Sequence, residues 1–83
     1  MPENSDAIGL DRLQPGEAGL VQAVEAEPAL ATRLADLGFC PGTPVRVARR
    51  APLGDPALYE LRGYQIALRR SEARRIRVLA GRR

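Results

Sequence analysis

The pattern of apolar residues predicts short β-strands along most of the chain and one amphipathic helix near its middle. Residues 19–24 (GLVQAV) alternate between two faces and predict a first strand. Leu30, Leu34 and Leu37 then recur at i, i+4 and i+7, which is the spacing of a helix that buries one stripe. Because Pro28 suits a first helical turn, we predict the helix over about residues 28–37.

Downstream of the helix the period changes to that of β-strands. Val45 and Val47 share one face of a strand over residues 43–49, and Tyr64, Ile66 and Leu68 share one face of a later strand. Further short strands are predicted at residues 58–61 and 76–78, with Ser71 as the N-cap of a short helical turn near residues 71–74.

Five short strands with tight connections predict a mainly β fold. We expect a small SH3-like five-stranded barrel with one inserted α-helix, because closure protects the edges of so small a sheet. Its boundaries are predicted as a flexible N-terminal tail at residues 1–9, the domain at residues 10–79 and a C-terminal tail at residues 80–83.

The stretch DLGFCPGT, residues 36–43, is predicted to connect the helix to the next strand. Gly38 suits the left-handed position that closes a Schellman motif, which would place Phe39 against Leu34. Pro41 and Gly42 then occupy the central positions of a type II turn. A second tight turn is predicted at Gly63.

Charge is distributed unevenly along the 83 residues. Residues 1–42 hold two arginines and seven acids, a net charge of −5, whereas residues 43–83 hold eleven arginines and three acids, a net charge of +8. Every basic residue is arginine, which pairs well with carboxylates and phosphates. A positive surface that steers docking to an acidic partner is therefore one interpretation, and a plain solvated face is the other.

Residue inventory argues against an enzyme. The chain has no histidine and a single cysteine, so the usual general base and a nitrogen–sulfur metal site are both missing. Cys40 follows the negative end of the predicted helix, and we interpret it as a turn residue. We predict no catalytic site, no cofactor and no metal site, although Asp55 or Glu72 could bind a hard cation weakly at the surface.

The cellular location is predicted from the residue composition and the first residues of the chain. The first residues, MPENSDA, are polar and acidic and do not resemble a secretory signal, and no apolar run is long enough to span a bilayer. A lone cysteine suits a reducing compartment. The chain is therefore expected to be cytoplasmic, without insertion into a membrane.

Four segments together resemble the FeoA family, ferrous iron transport protein A. They are RLADLGFCPGT, APLGDP, RGYQIALRRSEA and Ile76-Arg-Val, in the order and spacing of that family, with Leu10, Leu13, Pro15, Gly16 and Val21 upstream. The resemblance implies an SH3-like cytosolic accessory protein of ferrous iron uptake. Its implied partner is FeoB, a membrane permease for Fe(II) with a cytosolic G-protein domain. The chain departs from a typical member at Cys40 and in its arginine-rich C-terminal end.

The loop at residues 51–56 is the predicted partner-binding site. Two prolines lower the cost of ordering it, and an exposed leucine could anchor a partner. A loop that only connects two strands is the other interpretation. The predicted residues are Pro52, Leu53, Gly54, Asp55 and Pro56, with Arg49 and Arg50 beside them; Asp55 is expected to order its own loop.

Two alternatives stay open at this point. A basic small barrel could bind nucleic acid, but only Tyr59 and Tyr64 could stack on bases, so no nucleic acid is expected. A gel shift whose affinity falls steeply with salt would favour that function. A homodimer is the second alternative, given opposite charges on the two halves of the chain and exposed strand edges.

Overall fold

The computed structural model describes residues 7–81, which form six strands, two α-helices and one 3₁₀ turn. The strands are β1 Ala7–Gly9, β2 Ala18–Val24, β3 Pro44–Arg50, β4 Ala57–Leu61, β5 Tyr64–Leu68 and β6 Ile76–Ala80. The helices are α1 Pro28–Asp36 and α2 Arg70–Ala73, and the 3₁₀ turn is Leu10–Arg12. The mainly β prediction with one inserted helix is confirmed, and the number of strands is six, one more than predicted.

All six strands form one antiparallel sheet in the order β1-β6-β2-β3-β4-β5. The register shifts in β2 between Val21 and Ala23 and in β3 between Val47 and Arg49. Such irregularities increase the local bend, which lets so short a sheet curve around its own core. No strand pairing joins β1 to β5 within residues 7–81, so the two outer strands keep one free edge each.

The core lies inside the curved sheet and under α1. It is aliphatic except for Phe39 and Tyr59, each 1% exposed, which sit among leucine and valine side chains. Alternate residues of β3 and β4 point inward, as the period of two requires. The buried side chains with the least exposure include Leu10, Leu13, Val21, Leu34, Val45, Val47, Leu68, Ile76 and Val78.

The end of α1 confirms the predicted Schellman motif and turn. Gly38 has φ of 111°, its N–H donates to the Ala35 carbonyl at 2.9 Å, and the Phe39 N–H donates to the Leu34 carbonyl at 3.0 Å. The Thr43 N–H then donates to the Cys40 carbonyl at 3.0 Å across Gly42, whose φ is 90°. This is the pattern of a type II turn, and it leads directly into β3.

Two glycine substitutions should have different effects on stability. Gly38 and Gly42 both have positive φ, so alanine should cost about 1 kcal/mol at either position. A Cβ on Gly38 would also lie 2.9 Å from the Tyr64 hydroxyl and 3.2 Å from Leu61, whereas nothing lies within 4 Å at Gly42. Urea denaturation should therefore show Gly38→Ala to be less stable than Gly42→Ala by about 1 kcal/mol. Equal losses would contradict this packing of Tyr64 on the turn.

Three boundaries differ from the predictions. Ala7–Gly9, predicted within the N-terminal tail, form β1 because they pair with Leu79, Val78 and Arg77 of β6. Ala80, predicted in the C-terminal tail, is the last residue of β6. Residues 1–6 and 82–83 of the predicted tails lie outside the described residues.

The start of α2 also differs from the prediction. The N-cap is Arg69 and not Ser71, because the Glu72 carboxylate accepts the Arg69 N–H at 3.0 Å. The predicted turn at Gly63 is present, with φ of 50° at Arg62 and 85° at Gly63 between β4 and β5. Among the helices of residues 7–81, none is long and apolar enough to cross a bilayer.

Candidate docking surface at the 51–56 loop

The 51–56 loop connects β3 to β4 and is ordered by three hydrogen bonds. The Gly54 N–H donates to the Ala51 carbonyl at 2.7 Å, which closes a turn with Pro52 and Leu53 at its central positions. The Ala51 N–H donates to the Pro56 carbonyl at 2.9 Å and closes the base of the loop. The third bond comes from α2, so the loop has a defined shape before any partner binds.

That third hydrogen bond involves Asp55. Its Oδ1 accepts the backbone N–H of Arg70 at 2.9 Å, at the first residue of α2. A carboxylate is favoured there because the first N–H groups of a helix have no partner within the helix. Asp55 therefore orders its loop, as expected, but through a backbone N–H of α2 that lies 15 residues further along the chain.

Leu53 is the most exposed large apolar side chain among the described residues. Its exposed fraction is 96%, against 46% for Leu20 and 43% for Tyr64. A leucine at the tip of a hydrogen-bonded turn loses little further freedom when it enters a partner's pocket. This is the geometry of a small apolar anchor.

A shallow groove of about 470 Å³ lies beside the loop. Pro52 and Pro56 of the loop, Leu58 of β4 and Ala67 of β5 line it, together with Arg49 and Arg50. Leu58 and Ala67 were not among the site residues predicted from the sequence. The available signal was their outward position on paired strands, since Leu58 pairs directly with Ala67.

The two arginines that precede the loop have different roles. Arg49 is exposed. Arg50 is half-buried, and its Nη2 donates to the carbonyl of Asp11 at 2.8 Å and to the carbonyl of Leu13. Arg50 therefore holds the segment that follows β1 against β3, and its guanidinium is already bonded within the domain.

Tyr59 lies beside the same guanidinium. Burial raises the pKa of the Tyr59 phenol, and the nearby Arg50 charge and hydrogen bond act in the opposite direction. Because Tyr59 is buried, Tyr64 is left as the partly exposed aromatic of the described sheet, and its hydroxyl donates to the Leu37 carbonyl. A sheet that stacks bases needs more exposed rings than this.

Apart from Asp55, which is bonded to α2, the exposed charged side chains around the loop are positive. Arg69 and Arg70 are exposed, and the guanidinium of Arg70 lies beside Gly54. Together with Arg49 they give the loop a basic rim, which suits an acidic partner surface. Elsewhere Arg33 forms an ion pair with Glu72, and Arg46 forms one with Glu60.

The carboxylates considered for a weak cation site are already bonded. Asp55 accepts from Arg70, and Glu72 accepts from Arg69 and from Arg33. Within residues 7–81 no group of three or more His, Cys, Asp or Glu side chains is placed to hold a metal. Cys40 is half-buried at the turn, with its Sγ 3.6 Å from the Ala35 carbonyl.

Comparison with known proteins gives a consistent result. The FeoA domain model matches residues 8–80. The chain is 33% identical over 69 residues to the Fe(2+) transport protein A/Fe(2+) transporter FeoB fusion protein of Porphyromonas gingivalis. That match covers 83% of this chain and 8% of the fusion protein, so the chain corresponds to a small part of that relative.

Solved structures show the same likeness. FeoA from Chlorobium tepidum is 42% identical with a TM-score of 0.81, and the match covers 87% of this chain and 69% of that one. FeoA from Stenotrophomonas maltophilia complexed with zinc is 34% identical with a TM-score of 0.79, covering 90% and 96% of the two chains. The latter is described as an SH3 domain protein, for which a role as a ferrous iron transport activating factor has been suggested.

The curved six-stranded sheet with its inserted helix is thus a small SH3-like β domain. The chain belongs to the FeoA family, which is associated with ferrous iron transport and is not a known enzyme family.

Proposed function

We propose that this domain is a cytoplasmic accessory protein of ferrous iron uptake that binds a FeoB-type permease on its cytosolic side. The binding surface is the 51–56 loop together with its groove and the exposed Arg49. The domain acts by protein–protein binding and has no catalytic step of its own. It reaches the membrane through the permease and does not insert into the bilayer.

The observation that supports this proposal most strongly is the exposure of Leu53. A side chain that is 96% exposed gains the most from entering a partner's pocket, since almost all of its apolar surface is still in water. The hydrogen bonds to Ala51 and Arg70 hold the loop in place before binding. Apolar anchors on ordered loops are typical of protein-binding sites.

Charge and gene fusion support the choice of partner. In the Porphyromonas gingivalis relative the two proteins form one chain, which places an FeoA domain and an FeoB permease side by side. Arg49, Arg69 and Arg70 would steer the loop toward acidic residues of such a partner. Arg50 is not part of this proposal, because its guanidinium binds carbonyls of its own domain.

Replacement of Leu53 by alanine should weaken binding to the permease. The measurement is isothermal titration calorimetry of this domain against the purified cytosolic part of a FeoB-type permease. We expect Leu53→Ala to raise Kd about tenfold, which corresponds to about 1.4 kcal/mol. GTP turnover by the permease domain, with and without saturating accessory domain, shows whether binding changes catalysis.

Leu20→Ala is the matched control, since it removes the same atoms from another exposed leucine. Leu20 lies on β2, away from the 51–56 loop. The proposal predicts unchanged affinity for Leu20→Ala. Equal affinities for wild type and Leu53→Ala, with both folded, would reject the loop as the binding surface.

A further inference from the structure

The outer face of the sheet carries a row of apolar residues that the 51–56 loop does not use. Leu79 of β6 pairs directly with Ala7 of β1 on one side and with Leu20 of β2 on the other. Leu20 in turn pairs with Pro44 of β3. Directly paired residues point to the same face, so these four side chains form one row across four strands, about 14 Å long.

This row faces outward. Leu20 is 46% exposed and Pro44 is exposed, whereas the adjacent row, with Val21 and Val78, is buried in the core. The row is bounded by polar side chains. Gln22 lies on one side and the Arg46–Glu60 ion pair on the other. An apolar band with a polar border is the usual anatomy of a small protein interface.

A groove of about 460 Å³ begins where the row ends. Ala18, Pro44, Val45 and Leu61 form its apolar part, and Arg46, Glu60 and Arg62 also line it. Pro44 belongs to both the row and the groove. The projecting Leu20 therefore lies about one strand spacing from a groove that can receive a side chain of its size.

We infer that this face binds a second copy of the same chain, with Leu20 of each copy in the groove of the other. Leu20 projects on one side of Pro44 and the groove lies on the other, so the face of one copy is complementary to the same face of a second copy. A two-fold axis parallel to β3, lying between the two sheets above Pro44, places each Leu20 opposite the other copy's groove. Such an isologous contact is closed and forms a dimer only.

Charge permits this arrangement. Arg46 lies next to the axis and would face its own equivalent, but it forms an ion pair with Glu60 in its own copy. The hydrogen bond from Arg46 also holds the pKa of Glu60 below its ordinary value, which favours the charged form of the pair. Two copies therefore meet without a pair of unneutralised arginines at the centre.

The size of the face sets the strength of the dimer. The row and the groove lining comprise eleven residues. A standard stable interface uses roughly 20–30 residues on each side. We therefore expect a weak dimer with a dissociation constant on the order of 0.1–1 mM.

The dimer face and the 51–56 loop are separate surfaces. Pro44 begins β3 and Arg50 ends it, so the dimer face and the loop lie at opposite ends of that strand, about 20 Å apart. Dimerisation would leave Leu53 accessible. A dimer would then present two docking loops, one from each copy.

Sedimentation equilibrium of the full chain from about 10 µM to 1 mM tests this inference. We expect the weight-average mass to rise with concentration toward that of a dimer. Leu20→Arg should raise the dissociation constant at least tenfold, because a guanidinium would lose its hydration against Ala18, Pro44 and Leu61 and would meet the like charges of Arg46 and Arg62. Leu53→Arg, a matched change at another exposed leucine, should leave it unchanged.

Amide chemical shifts on dilution locate the contact. We expect changes concentrated at Leu20, Leu79 and Val45 in the wild type and their loss in Leu20→Arg. A monomeric wild type at 1 mM would overturn the inference. So would a folded Leu20→Arg variant that dimerises as well as wild type, or an equal loss in Leu53→Arg.

Discussion

Phe39→Ala is expected to lower the free energy of unfolding by about 3–5 kcal/mol. Phe39 is 1% exposed and follows the glycine that ends α1, so its ring covers the end of the helix and contacts the core. Its N–H also donates to the Leu34 carbonyl, which fixes the ring's position along the chain. Removing the ring leaves a cavity at the junction of helix and sheet. In an 83-residue domain this is a large share of the total stability.

Urea denaturation followed by circular dichroism measures this loss, with Cys40→Ala as the control. Cys40 is the next residue along the chain and is half-buried, with only a long contact from its Sγ to the Ala35 carbonyl. We expect Cys40→Ala to cost less than about 1 kcal/mol. Similar losses in the two variants would contradict the role of Phe39 as the buried cover of α1.

Arg50→Met is the second substitution with a large expected effect. It keeps much of the aliphatic stem and removes the guanidinium that bonds to the carbonyls of Asp11 and Leu13. Both carbonyls lie in the segment that contains the buried Leu10 and Leu13. Water therefore has poor access to them and cannot fully replace the lost donor. We expect a loss of about 2–3 kcal/mol, or a fall in Tm of roughly 10–20 °C.

Thermal unfolding of Arg50→Met is compared with that of Arg49→Met. Both variants lose one positive charge, but only Arg50→Met loses the hydrogen bonds to Asp11 and Leu13. Arg49 is exposed, so its replacement should change stability by less than about 0.5 kcal/mol. If Arg49→Met destabilises as much as Arg50→Met, the proposed hydrogen bonds of Arg50 are not what stabilises this region. The result also determines which arginine can be replaced in binding studies. If Arg50→Met is destabilised, any loss of binding in that variant would reflect partial unfolding and not a lost contact with the partner.

Local signals in the sequence were sufficient for the connection between α1 and β3. Gly38, Pro41 and Gly42 each have a conformational preference strong enough to specify a helix end and a type II turn. Both are present as predicted. The spacing of the leucines predicted the position of α1, because a helix is formed by residues that are close together in the chain.

Features that depend on distant contacts were not predictable in this way. Ala7–Gly9 form a strand only because β6, about 70 residues away, supplies the hydrogen bonds. Asp55 caps α2 across 15 residues, and Arg50 reaches Asp11 across 39. A single sequence gives no sign of which distant backbone groups such side chains will meet.

The exposure of Leu53 was predictable only in part, because it depends on local turn residues and also on distant strand pairing. Two prolines and a glycine in six residues indicated a surface turn, but not that the leucine would be its most exposed side chain. The loop and its groove come together because β4 and β5 pair beneath them, with Leu58 next to Ala67. Pairing of that kind is a property of the sheet.

Fe(II) uptake by cells tests the central proposal most directly, with the gene for this domain replaced by variants. Leu53→Asp should reduce uptake to the level of a deletion, because a charge at the tip of the loop cannot enter an apolar pocket. Cys40→Ala should support normal uptake, and both variants should be folded and equally abundant. Full uptake with Leu53→Asp, in cells where the deletion abolishes it, would contradict docking through this loop.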